Sequence, residues 1–306
     1  MASVEPVVFV HGGAGTISSD AKARQLVEGA KRAARAGYKT LTSGGSVVDA
    51  VQIAVELMEN DPIFNAGLGS VLNVEGEVEM DASIMVGADL SAGAVTVVKD
   101  IKNPIALARL VMEKTSHVLL AGDGAKKFAL SHGMVPLEPG ALATDATREA
   151  LDKWRAKQSE VPAVLGTVGA VAIDSEGRLA AATSTGGREG KLAGRSSDTC
   201  MIGSGTYADD KIGAVSTTGH GETIAKFCLA HAIIKAMENG EGADRATNSC
   251  IEKMTERLNN TAGAITLSCK GEVGVGFSTN RMSWAYVKGD QLHFGVDKNK
   301  KEFEKL

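Results

Sequence analysis

Apolar positions along the chain fall into two rhythms. Short runs that are apolar on both faces mark buried strands, and longer stretches with helical spacing mark amphipathic helices. The first strand covers 6–10 and ends in a turn at His11-Gly12-Gly13-Ala14-Gly15. Helices follow over 21–36 and 46–60, the second opened by Ser46 and Asp49 in the pattern of a capping box. Strands are predicted near 68–74, 77–86 and 92–98, then a helix over 104–114 with Pro104 in its first turn, a strand over 117–121 and a helix over 125–132. A charged, helix-prone stretch over 144–160 reads as a solvent-facing tail. The second half gives strands over 167–173, 179–184, 200–203 and 212–216, helices over 222–238 and 243–258, and closing strands over 262–268, 272–278, 282–287 and 291–296. Strands grouped with strands and helices with helices favour α+β layering over repeated βαβ units. Two stacked sheets between helical layers cover both faces of every strand. No linker divides the 306 residues, so the chain reads as one domain, 1–306.

Charge and composition narrow the function. A net charge of −4 and 4% aromatic residues argue against a nucleic-acid partner, which calls for a basic face and stacking rings. The first basic residue is Lys22, so no secretory leader is expected, and the longest apolar run, 163–173, is far too short for a membrane span. Cys200, Cys228, Cys250 and Cys269 lack C-x-x-C spacing and suit reduced thiols in the cytoplasm. The 36 glycines lie in short clusters, which implies several tight backbone turns meeting in space.

The texture of the chain changes abruptly at Gly166-Thr167, where the charged stretch gives way to Val168-Gly169-Ala170-Val171-Ala172-Ile173. A Thr heading a buried strand after a flexible Gly could become a new N-terminus, and a Thr beside its own free amine is an activated nucleophile. The plain alternative is a strand start with good β-propensity. Three other segments supply matching chemistry. Asp61 to Ser70 is a polar loop punctuated by Gly67 and Gly69; Ser184-Thr185-Gly186-Gly187 leads to Arg195 and Asp198; and Ser216-Thr217-Thr218-Gly219-His220-Gly221-Glu222 runs from a strand into a helix. Arg195 and Asp198 could be a surface ion pair, and Thr218-Gly219 a helix cap. Together they form a clamp for a zwitterion and a donor set for an oxyanion, which a side-chain amide of an amino acid requires. No nucleophile elbow, phosphate loop or H-E-x-x-H site is present, and His11 and His220 have no companions at metal-ligand spacing.

These segments resemble the plant-type L-asparaginase and isoaspartyl peptidase family of N-terminal-nucleophile hydrolases. The matching motifs are His11-Gly12-Gly13-Ala14-Gly15, Phe64-Asn65-Ala66-Gly67, the run from Glu79 to Met85, Gly166-Thr167-Val168-Gly169, Ser184-Thr185-Gly186-Gly187 and the run from Ser216 to Glu222, in order over nearly the whole chain. The resemblance implies a four-layer αββα sandwich. It implies self-cleavage of the Gly166–Thr167 bond into an α-chain (1–166) and a β-chain (167–306), with Thr167 as nucleophile and its amine as base. Thr185 would steady Thr167, while Thr218 and the Gly219 N–H hold the oxyanion. Arg195 would take the substrate α-carboxylate and Asp198 its α-ammonium, with Gly221 touching substrate and Asn65 supporting the nucleophile. No cofactor is required for the chemistry. A structural Na+ would sit on backbone carbonyls of Met58, Glu59, Asp61, Phe64, Ala66 and Leu68. Substrates would be L-asparagine and β-aspartyl dipeptides, and the assembly a homodimer of αβ units. Competing expectations are an aspartylglucosaminidase-like hydrolase and a catalytically silent homologue. Where many relatives read Gly-Arg-x-Gly-Asp-Ser-Pro, this chain has Gly194-Arg195-Ser196-Ser197-Asp198-Thr199-Cys200, which keeps both charges but alters the stiffness of the loop.

Overall fold

The computed structural model describes residues 3–17, 19–157 and 166–306. Along the chain run β1 (Val7–Gly15), α1 (Asp20–Thr42), α2 (Val47–Glu59), β2 (Met80–Val86), β3 (Ala92–Val98), α3 (Pro104–Lys114), β4 (Leu119–Ala121), α4 (Gly122–Ser131) and α5 (Asp145–Lys157). After the cleavage candidate come β5 (Val168–Ile173), β6 (Leu179–Thr185), a 3-10 turn (Asp198–Cys200), β7 (Thr206–Asp209), β8 (Gly213–Gly219), α6 (Gly221–Phe227), α7 (Leu229–Glu238) and α8 (Ala243–Leu258). The chain closes with β9 (Ala262–Ser268), β10 (Val273–Phe277), β11 (Arg281–Lys288), β12 (Gln291–Gly295) and β13 (Glu302–Lys305). The fold is α+β, with a nine-stranded sheet in the order β13-β12-β11-β1-β5-β6-β2-β3-β4 and a four-stranded sheet in the order β10-β9-β8-β7.

Alternation along the central strands explains how these pieces stack. In β5, Ala170 and Ala172 join a core with Ala50, Ala54 and Val55 of α2, while Val171 and Ile173 join a second core with Ile265 and Leu267 of β9. One face of the large sheet is therefore covered by α1 to α4, and the other meets the small sheet. The far side of the small sheet, through Val215 and Ala264, packs on α6, α7 and α8. Small residues (Gly, Ala, Ser and Thr) make up most of β5 and β6, which brings layers close at the centre of the molecule. Ser46 and Asp49 do form a capping box on α2, and Pro104 stands in the first turn of α3.

Several elements differ from their sequence pattern, each for a local reason. The turn predicted at His11–Gly15 is a continuation of β1, which pairs with β11 across a register shift between His11 and Ala14. The segment 68–74 is not a strand: Gly67 and Gly69 take positive φ, and the loop folds back so that Leu68 N donates to the Glu59 carbonyl at 2.7 Å. The strand predicted over 77–86 starts at Met80, and 117–121 shortens to Leu119–Ala121. Residues 200–203 are not a strand, because the chain makes a 3-10 turn there before β7, an element the pattern did not reveal. The helix predicted over 222–238 is broken at Cys228, whose φ of 52° ends α6 and restarts the chain as α7. The short strand β13, carrying alternating charge, gave no apolar signal.

The charged tail is also more structured than expected as far as residue 157. Helix α5 buries Leu151 in a small cluster with Leu72, Val78, Met80 and Leu142. Arg155 Nη2 donates to the Val74 carbonyl at 2.8 Å, and the Trp154 ring lies so close to Gly190 that a Cβ there would stand 2.4 Å from it. The rest of the predicted tail, 158–160, and the lead-in to the junction, 161–165, lie outside the described residues.

At Gly93 of β3 a Cβ would meet the Ala108 carbonyl of α3 at 2.1 Å and the Met112 N at 2.5 Å. Backbone cannot step aside as a side chain can, so Gly93→Ala should destabilise the fold by about 1–3 kcal/mol. The check is a lower urea midpoint at unchanged m-value.

Candidate active site

Strand β5 lies between β1 and β6, with His11 opposite Gly169 and Val168 opposite Ser184. That register delivers Thr167, at the head of β5, to Thr185, at the end of β6. The Thr167 hydroxyl donates to Thr185 Oγ1 at 3.2 Å, and the Gly187 N–H donates to the same oxygen at 3.0 Å. Thr167 is buried. On its other side the bulge of β1 presses on Gly166. Gly13 has φ of 106°, and a Cβ on it would lie 2.5 Å from Gly166 Cα; a Cβ on Gly166 would lie 2.4 Å from Ala14 N. Neither position has room for a side chain, which accounts for Gly13 of the His11-Gly12-Gly13 motif and for Gly166.

The donor set stands on β8. Thr218 Oγ1 accepts from the Ala14 N–H at 3.1 Å, which leaves its own proton free to donate. Gly219 follows with φ of 131°, a conformation open to glycine, and a Cβ there would stand 2.7 Å from Ala262 Cα. Neighbouring Thr217 points to the opposite face and holds the clamp, donating to Asp198 Oδ2 at 3.3 Å.

The clamp itself is preorganised. Arg195 Nε donates to Glu222 Oε1 at 3.0 Å, which leaves the guanidinium's outer nitrogens for a ligand. A Cβ on Gly221 would lie 2.7 Å from both Arg195 Nη2 and Asp198 Oδ1, so this glycine keeps open the space between the two charges. Burial raises the Asp198 pKa to about 7, against the opposing pull of Arg195 and the Thr217 hydroxyl. The substituted loop is tied down by other means. Ser197 N donates to Asp81 Oδ2 at 2.8 Å, Ser197 Oγ accepts from Thr199 N at 3.2 Å, and Thr96 Oγ1 lies 2.7 Å from Asp81 Oδ1 and from Ser196 Oγ. Backbone and hydroxyl bonds of Ser196 and Ser197 thus fasten this loop to Asp81 and Thr96.

Six of the residues singled out from the sequence, Thr167, Thr185, Arg195, Asp198, Gly219 and Gly221, line one solvent-connected cavity. Thr218 and Asn65 are not part of its lining. Asn65 acts one step back, donating through Nδ2 to the Gly187 carbonyl at 2.7 Å and accepting from Val71 N at 3.0 Å. Lys191, almost wholly buried, joins it by donating to the Gly186 carbonyl at 3.0 Å. Between them they fix the Gly186-Gly187 backbone that holds Thr185.

The six carbonyls expected to hold Na+ lie at the end of α2 and on the loop that follows it. Met58, Glu59 and Asp61 already accept N–H bonds from Asp61, Leu68 and Phe64, at 3.3, 2.7 and 3.1 Å respectively. Phe64, Ala66 and Leu68 carbonyls accept no backbone N–H among the described residues, and each oxygen has two lone pairs. The donor set therefore fits a hard monovalent cation. The Glu59 side chain turns away, accepting from Ser184 Oγ at 2.6 Å, Ile105 N at 3.0 Å and Asn103 Nδ2 at 3.0 Å, and burial raises its pKa to about 8. No cluster of three His, Cys, Asp or Glu side chains suited to a metal occurs among the described residues.

A family model described as Asparaginase matches residues 4–296. The chain belongs to this asparaginase family. It is 50% identical over 300 residues to a Bos taurus protein named isoaspartyl peptidase/L-asparaginase, covering 96% of this chain and 97% of that protein. It is 48% identical over 299 residues to proteins of the same name from Homo sapiens and Xenopus laevis, covering 96% of this chain and 97% and 96% of theirs.

The asparaginase cavity also holds residues that sequence reasoning had not assigned. Arg188, His220 and Glu222 line it beside the clamp; His220 and Glu222 were visible in a motif, but their facing the cavity follows only from the meeting of β8, α6 and the 186–198 loop. His11 is wholly buried behind Thr167, its Nε2 2.9 Å from Ser216 Oγ, which in turn lies 2.8 Å from Thr183 Oγ1. Burial pushes the His11 pKa down to about 3, opposed by the Thr167 backbone, so the ring is neutral. Asp81 carried no sequence signal beyond its motif, although it organises the clamp loop.

The raised Asp198 pKa sets a direction for pH. Below about 7 its carboxyl gains a proton and no longer pairs with an ammonium. Calorimetry with L-aspartate as ligand should find affinity falling toward tenfold per pH unit below 7. Asp198→Asn should bind weakly, and without that dependence.

Proposed function

We propose that this protein hydrolyses L-asparagine and β-aspartyl (isoaspartyl) dipeptides to aspartate, using a threonine that it frees by cutting its own Gly166–Thr167 bond. The observation that carries this is a single cavity in which the Thr167 hydroxyl, bonded to Thr185, faces the opposed charges Arg195 and Asp198. A clamp for a free α-carboxylate and α-ammonium leaves only the side-chain amide within reach of the hydroxyl, so an internal peptide bond does not fit. The names of the relatives support the same activity.

In the uncut chain the Thr167 oxygen attacks the Gly166 carbonyl carbon and the amide nitrogen takes up a proton. The resulting ester is hydrolysed by water, which leaves a carboxylate on the α-chain (1–166) and a free amine on the β-chain (167–306). A free α-amine titrates at about 7.7–8.0, so a useful fraction is unprotonated near neutrality. In turnover that amine accepts the Thr167 hydroxyl proton as the oxygen attacks the substrate's side-chain carbonyl. The developing oxyanion is met by the Thr218 hydroxyl and the Gly219 N–H. Collapse expels ammonia, or the amino group of the released residue, which departs with a proton. Water then cleaves the β-aspartyl ester and aspartate leaves.

The stacking of helices, two sheets and helices supports a four-layer αββα sandwich of the N-terminal-nucleophile type. The chemistry needs no cofactor. Carbonyls of Met58, Glu59, Asp61, Phe64, Ala66 and Leu68 would hold a structural Na+, which would stiffen the loop that carries Asn65. Two αβ units form the proposed dimer. The four unpaired cysteines support a reducing, cytoplasmic setting and speak against an aspartylglucosaminidase-like enzyme stapled by disulfides. A catalytically silent homologue would have lost part of the set, yet Thr167, Thr185, Arg195, Asp198 and Thr218 are all present.

On a denaturing gel the purified protein should give two fragments that meet at the 166/167 junction. Thr167→Ala should remain one polypeptide without turnover; two fragments from that variant would sink the assignment. Removing one oxyanion donor costs about 10²–10³ in rate, so Thr218→Ala should lose kcat to that extent once matured. An unchanged kcat would remove Thr218 from the mechanism.

A further inference from the structure

The clamp accounts for one guanidinium of the cleft and leaves a second. Arg188 follows Gly187, whose N–H holds Thr185, so it projects from the backbone that frames the nucleophile and lines the same cavity. Its side chain is 43% exposed, against 15% for Arg195, which places Arg188 at the mouth and Arg195 in the interior. Among the described residues its one ion-pair partner is Glu222, with Nη1 3.9 Å from Oε2, beyond hydrogen-bond distance. The other oxygen of Glu222 is taken by Arg195, so the carboxylate stands between the two guanidiniums. The remaining polar groups nearby do not compete for Arg188. Burial lowers the His220 pKa and keeps that ring neutral, and Glu189 turns back to the Leu72 backbone.

The two substrates differ in charge where this matters. L-Asparagine carries one carboxylate and one ammonium, both used by Arg195 and Asp198. A β-aspartyl dipeptide carries a second carboxylate, on the residue beyond the scissile amide. The aspartyl end is enclosed by the clamp, so that residue extends to the open side of the cleft, where Arg188 has unused donors. We infer that Arg188 forms a second carboxylate subsite, which takes the C-terminal carboxylate of the departing residue and favours β-aspartyl dipeptides over L-asparagine. This rests on the proposed activity and adds the chemical class of its preferred substrate.

The test compares kcat/KM of the matured protein for β-aspartyl-alanine, the same dipeptide with a C-terminal amide, and L-asparagine, in wild type and in Arg188→Gln and Arg188→Lys. A charge-assisted pair on a partly exposed arginine predicts that the acid-to-amide ratio falls roughly five- to tenfold in Arg188→Gln and recovers partly in Arg188→Lys. An unchanged ratio in Arg188→Gln overturns the subsite. An equal loss on all three substrates also overturns it, since Arg188 would then belong to the aspartyl clamp. If matured wild type hydrolyses none of the three, the proposed activity itself falls, and the subsite with it.

Discussion

Gly13 on the bulge of β1 and Gly166 at the head of β5 touch backbone to backbone, at distances no Cβ would survive. From this contact the rest of the site follows. It sets Thr167 at the edge of the paired strands rather than inside the ladder, and it puts Ala14 N where it can donate to Thr218. Because β5 is paired on both sides, by β1 and β6, the position of Thr167 is over-determined by two registers. In the proposed mechanism a hydroxyl positioned in this way needs little reorganisation before it reacts.

Around that hydroxyl the charges are withdrawn from water to different depths. Burial makes the Asp198 charge costly to keep and raises its pKa to about 7 against the pull of Arg195. Glu222 accepts from Arg195 Nε and so fixes the orientation of its guanidinium. Asp81, Ser196 and Ser197 fasten the loop that carries both clamp charges. Helix α5 reaches the same loop from outside, through Trp154 on Gly190, so the last described helix before the junction helps shape the active-site wall.

Much of this was legible in the residues. Strand and helix periodicity located nearly every element of the two sheets, since burial on both faces leaves unbroken apolar runs such as Val168–Ile173. The misses share a cause. Residues 68–74 are apolar enough for a strand but are bent round Glu59 by two glycines with positive φ. The break at Cys228 falls inside a continuous helical pattern, where its left-handed backbone ends α6 and begins α7. Strand β13 is held by Lys31 and Arg35 of α1 gripping Glu304, which are distant charges that no local pattern records.

The sequence by itself determined the layer chemistry, the candidate nucleophile and the charged residues of the clamp, because residue type and local spacing carry that information. Tertiary structure alone decided which of them meet. It gathered Thr167, Thr185, Arg195 and Asp198 into one cavity, moved Asn65 and Thr218 just behind its wall, and brought in Arg188, His220 and Glu222. The physical reason is that these groups lie on strands, loops and helix ends far apart in the chain. Their distances are set by sheet register and by glycine-sized gaps between layers, neither of which is a property of any one segment.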